Sequence, residues 1–135
     1  MELQEIVSIV REHHPRVQGI YLFGTYATPE QRPDSDLDIA LLLEPTEAKR
    51  EKSLAFGACR DALEARAGRS VDLINLREAN TVFQNEIITE GRLIVSTDEA
   101  ATDAFEMQVM SAYQKLNEER SGILEDIELS GRVLK

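Results

Sequence analysis

Between Ser35 and Pro45 the sequence reads S-D-L-D-I-A-L-L-L-E-P. Successive side chains of an extended strand leave on opposite faces. Alternation puts Leu37, Ile39, Leu41 and Leu43 on one face, and Asp36, Asp38, Ala40 and Leu42 on the other. The aliphatic face calls for a packed core, and the two carboxylates emerge together where the strand enters it. Two unit charges about 4 Å apart repel by ~4 kcal/mol at an effective dielectric near 20. Such a pair needs a cation between its members or a proton on one of them. Hard divalent cations such as Mg2+ favour carboxylate oxygen.

A third carboxylate stands in a similar place. Residues 70–76, S-V-D-L-I-N-L, read as a strand with Asp72 near its start, between Val71 and Leu73. Three carboxylates on two strands would suit two Mg2+ ions, the arrangement used for in-line phosphoryl and nucleotidyl transfer. Upstream, Gly24-Thr25 closes the apolar run Val17–Phe23. A glycine there permits a tight turn with exposed N–H groups, and the Thr25 hydroxyl adds a donor, so the pair suits phosphate oxygens. Taken singly, each aspartate also fits a solvated strand end. Gly24-Thr25 alone also fits a strand end and a helix cap. The combination is what points to a site.

The remaining elements follow from periodicity. Leu3, Ile6, Val7 and Val10 lie on one helical face over residues 3–13, and Pro15 ends that helix. Val17–Phe23 is a short buried strand. Residues 28–35, with two prolines, form a loop. The periodicity predicts one helix over roughly 47–67, opened by Pro45-Thr46, with Leu54, Ala58, Cys59, Ala62 and Leu63 as its stripe and Gly68 as its stop. A helix over 79–90 carries Val82, Phe83, Ile87 and Ile88 and ends at Gly91. Residues 92–96 form a fourth strand, and a long helix runs from Asp98 to about Leu129. About a dozen residues join the first two strands, too few for an ordinary helical crossover. Those strands are therefore expected to be antiparallel neighbours or joined by a very short helix. The fold class is α+β, with a small mixed sheet flanked by helices.

Composition narrows the partners. Fifteen Lys and Arg stand against 25 Asp and Glu, a formal charge of −10. Non-specific nucleic-acid binding depends on basic side chains neutralising phosphates, so direct nucleic-acid binding is not expected, whereas a basic protein partner is suited. No apolar run approaches the ~20 residues a membrane-crossing helix needs. The acidic N-terminus does not read as a signal peptide. The single cysteine, Cys59, fits a reducing cytoplasm, and its place on an apolar stripe makes it a small core residue. His13 and His14, ahead of Pro15, read as surface or capping residues, and Glu118-Glu119 as solvated.

Gly24-Thr25-Tyr26-Ala27, seven residues, then Ser35-Asp36-Leu37-Asp38 resembles the G-S-x-A-R-G-x(5)-S-D-x-D signature of the minimal nucleotidyltransferases, in the DNA polymerase β-like superfamily. The resemblance runs from about residue 3 to 96, and Asp72 falls where the family carries its third carboxylate. Thr25 keeps the hydroxyl of the usual serine. Thr28-Pro29 replaces the usual Arg-Gly, and Arg32 in the same loop is the candidate substitute contact. The resemblance implies a polymerase β palm-like fold, with residues 1–97 as the core and 98–135 as a helical extension of the same domain. It implies ATP as substrate and two Mg2+ ions, held by Asp36, Asp38 and Asp72 as the catalytic carboxylates. Asp72 would also help accept the proton of the attacking hydroxyl. Gly24 and Thr25, with Ser35 and Arg32 in support, would hold the nucleotide phosphates.

A chain of 135 residues leaves little room for a separate acceptor domain. The resemblance is to the stand-alone antitoxin type, which pairs with a HEPN-domain ribonuclease toxin and transfers AMP to a tyrosine on it, releasing pyrophosphate. Phe105, Val109, Ala112, Leu116, Ile123 and Ile127 form a helical stripe interrupted at Glu119. That stripe packs on its own domain or faces the toxin, and Tyr113 fits either role. Two other functions stay open. One is an antitoxin that acts by contact with weak or absent catalysis, motivated by Thr28-Pro29. The other is a transferase for small-molecule hydroxyls of the antibiotic type.

Overall fold

The computed structural model describes residues 1–24, 36–51 and 57–134, with side chains followed to residue 122. Among the described residues, five α-helices and four strands follow one another as α1 (Leu3–His13), β1 (Gly19–Phe23), β2 (Leu37–Leu42), α2 (Pro45–Arg50), α3 (Ala58–Ala67), β3 (Val71–Asn75), α4 (Thr81–Glu90), β4 (Arg92–Ser96) and α5 (Glu99–Leu134). A short 3-10 turn, Leu76–Glu78, links β3 to α4.

The sheet order is β3-β2-β1-β4. β1 pairs antiparallel with both β2 and β4, and β2 pairs parallel with β3. The first two strands are thus antiparallel neighbours, one of the two arrangements their short connection allowed. The parallel pair is joined through α2 and α3, the helical crossover that parallel strands require.

Both faces of the sheet are covered. Leu37, Ile39, Leu41 and Leu43 join Ile20 and Leu22 against Ile6 and Val10 of α1 and Leu63 and Cys59 of α3. On the other face Tyr21, Ala40 and Leu42 pack with Ile87 of α4 and with Phe105 and Val109 of α5. The alternation read from the sequence is therefore real, but Ala40 and Leu42 are as buried as the leucines opposite. Only the start of β2 on that face is polar. The core is α+β in class and sits in three layers.

Local chemistry sets the helix ends. Glu2 and Glu5 form a capping box at α1. The Asn80 side chain accepts from the Phe83 N–H at 2.9 Å at the start of α4, and Asp98 Oδ1 accepts from the Ala101 N–H at α5. Gly68 ends α3 in the left-handed region at φ 69°.

Two readings are corrected. The helix expected over 47–67 is two helices; residues 52–56, including Leu54 of the expected stripe, lie outside the described residues. Asn75 Nδ2 donates to the carbonyls of Ala48 and Glu51, at 2.8 and 3.1 Å. A side chain from β3 thus satisfies α2's terminal acceptors where the next helical turn would have done so. His14 is the C-cap of α1, one of the two roles read for it, but it is not on the surface. It is buried, with Nδ1 3.1 Å from Glu47 Oε1, and so ties α1 to α2. Arg77 also holds the fold together. It donates to the Leu43 carbonyl and Gln18 Oε1, and its guanidinium lies 5.5 Å from the centre of the Phe105 ring.

Candidate active site

One end of the sheet collects the end of β1 and the starts of β2 and β3. β1 delivers Phe23, with Gly24 just after it; β2 delivers Asp38, with Asp36 just before it; and β3 delivers Asp72. In the register, Asp38 stands opposite Phe23 on one side and Asp72 on the other. Parallel partners at the same level project to the same face, so the two carboxylates share it. That face is the one covered by α4 and α5.

Asp38 is half-buried, while Asp36 and Asp72 are exposed. Burial pushes the Asp38 carboxyl up to about 6, and the Asp72 and then the Asp36 carboxylates push in the same direction. The cause is unbalanced negative charge at the mouth of an apolar layer. Gly24 turns the chain at φ 69°. A Cβ there would overlap the Asp38 carboxylate, so the glycine is required both by its backbone and by its neighbour.

A cavity of about 460 Å3 opens here, lined by Gly24, Asp38, Phe23, Phe83, Glu86 and Glu90, with Ile87 behind. The Phe23 and Phe83 rings meet edge to face, centroids 5.6 Å apart.

The start of β3 is clamped from α3. Glu64 accepts from the Val71 N–H at 2.9 Å, and Arg60 Nε donates to the Val71 carbonyl at 3.2 Å. Arg60 and Glu64 also pair with each other at 3.1 Å. The Leu37 N–H donates to the Ser70 carbonyl at 2.9 Å. Asp72 thus follows a peptide held at both its N–H and its carbonyl. An Arg-Glu pair four apart is visible in the sequence as a helix-face pair. That it reaches a strand is not.

Of the residues singled out beforehand, the structure brings Gly24, Asp36, Asp38 and Asp72 to this end of the sheet. Thr25, Arg32 and Ser35 lie outside the described residues. Among the described residues no three carboxylate, histidine or cysteine side chains converge closely enough to cage an ion. The donor chemistry nevertheless fits a hard divalent cation. All three candidates are carboxylates, and Asp38 carries a charge penalty that a cation would relieve.

Residues 4–100 match the family described as polymerase beta, nucleotidyltransferase. The chain belongs to this family. This nucleotidyltransferase is 32% identical over 123 residues to the protein adenylyltransferase MntA of Shewanella oneidensis, covering 91% of the chain and 85% of that protein. It superposes on a chain in the crystal structure of a toxin–antitoxin with AMP-PNP, with a TM-score of 0.73 and 30% identity, covering 94% of this chain and 98% of that one. It also matches a structure of tri-AMPylated Shewanella oneidensis HEPN toxin in complex with MNT antitoxin. There the TM-score is 0.65 and the identity 29%, with 92% of this chain and 93% of that one covered. The nucleotidyltransferase is thus a homologue of an antitoxin adenylyltransferase.

Proposed function

We propose that this nucleotidyltransferase is an antitoxin that transfers AMP from ATP to a tyrosine hydroxyl of a HEPN-domain ribonuclease toxin and so neutralises it. The observation that carries the reading is the register of Asp38 against Asp72 beside Gly24, in a chain homologous to MntA over 91% of its length. Cytoplasmic action fits a protein whose described helices include none long and apolar enough to cross a membrane.

The residues divide the work. Gly24, with Thr25, Arg32 and Ser35 that follow it in the sequence, holds the phosphates of ATP. Asp36, Asp38 and Asp72 would hold Mg2+, two ions in the full arrangement, which would supply charge neutralisation at the phosphates. The acceptor oxygen forms a bond to the α-phosphorus, the bond from that phosphorus to the bridging oxygen breaks, and pyrophosphate leaves with the electron pair. Asp72 takes the hydroxyl proton or passes it to water. Catalysis here is positioning and charge neutralisation.

The test is incubation with labelled ATP, Mg2+ and the HEPN-domain protein encoded beside this chain. Label on the toxin, absent with Asp36→Asn/Asp38→Asn, is expected. No label under conditions where the two proteins bind would defeat the reading. A contact-only antitoxin is the second reading, motivated by Thr28-Pro29 in place of the usual Arg-Gly. It is chosen if the double asparagine variant still protects cells from the toxin.

A further inference from the structure

Phosphate and metal chemistry uses Gly24 and Asp38 in the cavity at the strand ends. It leaves unused the residues that line the same cavity from α4, which are Phe83, Glu86 and Glu90. Offsets of three and four residues put these on one helical face. Phe83 is half-buried, and Glu86 and Glu90 are exposed. The row has a direction. Gly91, directly after Glu90, packs so closely that a Cβ there would stand 2.7 Å from the Leu22 carbonyl oxygen and 3.3 Å from Phe23 Cβ. Glu90 therefore lies at the end of α4 nearest the turn at Gly24. At 1.5 Å per residue, Glu86 stands about 6 Å and Phe83 about 10 Å farther along the helix.

The lining limits what can sit there. Its polar side chains among the described residues are Asp38, Glu86 and Glu90. An ionised carboxylate accepts hydrogen bonds and donates none, and it repels a polyphosphate. The occupant must therefore be an uncharged part of a substrate that donates hydrogen bonds and offers a flat face to the Phe83 ring. The nucleoside half of ATP does all of this, with two ribose hydroxyls as donors and the base as the face. The acceptor tyrosine has a ring, but its one hydroxyl is committed to the α-phosphorus. A cavity of about 460 Å3 lies within the range of small-molecule pockets, roughly 300–1,000 Å3. The order agrees as well, with phosphates at Gly24, ribose at Glu90 and Glu86, and base toward Phe83.

We propose that Glu86 and Glu90 accept hydrogen bonds from the ribose hydroxyls of ATP while Phe83 carries the base, so that this cavity selects ribonucleotides over deoxyribonucleotides. This assignment rests on the AMP-transfer reading above and adds the residues that choose the nucleotide.

The experiment is calorimetric titration of ATP, 2′-deoxy-ATP and 3′-deoxy-ATP, each with Mg2+ and without toxin. The proteins are wild type, Glu86→Ala, Glu90→Ala, the double alanine variant and Phe83→Leu. All three nucleotides carry the same phosphates. The ratio of their affinities therefore cancels the repulsion that is relieved when a carboxylate is removed. Wild type is expected to prefer ATP over at least one deoxynucleotide by about tenfold. In the double variant that preference falls to within about twofold, and in at least one single variant it falls part of the way. Phe83→Leu weakens all three nucleotides alike, by at least about threefold, and keeps the preference. No preference in wild type, or one that survives the double variant, overturns the ribose assignment. So does a double variant whose preference is intact but whose KM for toxin is raised, which gives the glutamates to the acceptor. Unchanged affinities in Phe83→Leu overturn the base contact. None of these results touches the toxin reading, because no toxin is present in the titrations. Wild type that binds no ATP overturns both.

Discussion

Asp38 of β2 and Asp72 of β3 are direct partners across a parallel strand pair, one residue beyond a hydrogen bond from the Leu37 N–H to the Ser70 carbonyl. The backbone therefore sets the spacing of the two carboxylates, not a flexible loop. Asp36 adds a third charge just before β2. In Asp38→Asn or Asp72→Asn, AMP transfer to toxin is expected to fall by at least about 100-fold, the scale of losing one preorganised charge in a transferase site. Rates at saturating ATP, with toxin binding measured separately, check it.

The same charges set a pH dependence of stability. Asp38 has its carboxyl raised to about 6 by burial, with Asp72 and Asp36 adding to it, against about 3.9 in an unfolded chain. The folded state therefore holds a proton that the unfolded state has lost between those values. The contribution of Asp38 to stability is fully present below about pH 4 and is lost as pH rises through about 6. Above that, the charged carboxylate costs on the order of 1 kcal/mol once its partial exposure is allowed for. Asp38→Asn is expected to melt a few degrees, about 3–5 °C, above wild type at pH 7.5. The gap closes by pH 4. Thermal melts across this range measure it.

Divalent cation should remove that penalty. Addition of Mg2+ at pH 7.5 is expected to raise the melting temperature of wild type by mass action and to shift Asp38→Asn less. Equal shifts in the two proteins would argue that the ion binds elsewhere.

Gly24→Ala places a Cβ at positive φ, which costs about 1–2 kcal/mol, and drives it into the Asp38 carboxylate. Loss of ATP affinity should therefore exceed what the lowered melting temperature explains. Calorimetric titration of ATP at a temperature where the variant is folded separates the two effects.

Glu64→Ala releases the Val71 N–H and removes the nearer of the two carboxylates that pair with Arg60. Both side chains are partly exposed, so the stability loss is expected to be small, about 1 kcal/mol. The start of β3 is loosened, and with it Asp72. Transfer rate is expected to fall about tenfold with ATP affinity little changed, and Glu64→Gln, which keeps an acceptor, recovers part of it. Rate and affinity measured together distinguish this from unfolding.

Much of the fold is legible in local pattern because local pattern is what burial acts on. The alternation Leu37-Ile39-Leu41-Leu43 has a period of two, and that period alone assigns a strand and its core face. Pro15 and Gly68 end helices through their own backbone chemistry, whereas Gly91 is held at an ordinary φ and is required by the close approach of the Ile87 and Leu22 carbonyls. That Asp38 leaves the face opposite Leu37 and Ile39 could be read from the sequence because neighbouring strand residues alternate faces. What escapes is whatever depends on a partner distant in sequence. The end of α2 is decided by Asn75 on β3, so the run read as one helix is two. His14 is buried because Glu47, 33 residues away, receives it. Arg60 and Glu64 look like an ordinary surface pair until β3 lies beneath them.

The sequence by itself determined the strands, their faces and the types of residue at the strand ends, because these follow from side-chain periodicity and backbone preference. Only the tertiary structure decided that Asp72 stands beside Asp38, that Phe83 and Glu86 of α4 wall the pocket at Asp38, and that the stripe on α5 is half covered. Those relations depend on strand order and helix placement. Long-range packing energy selects them, and no local window of the chain contains it.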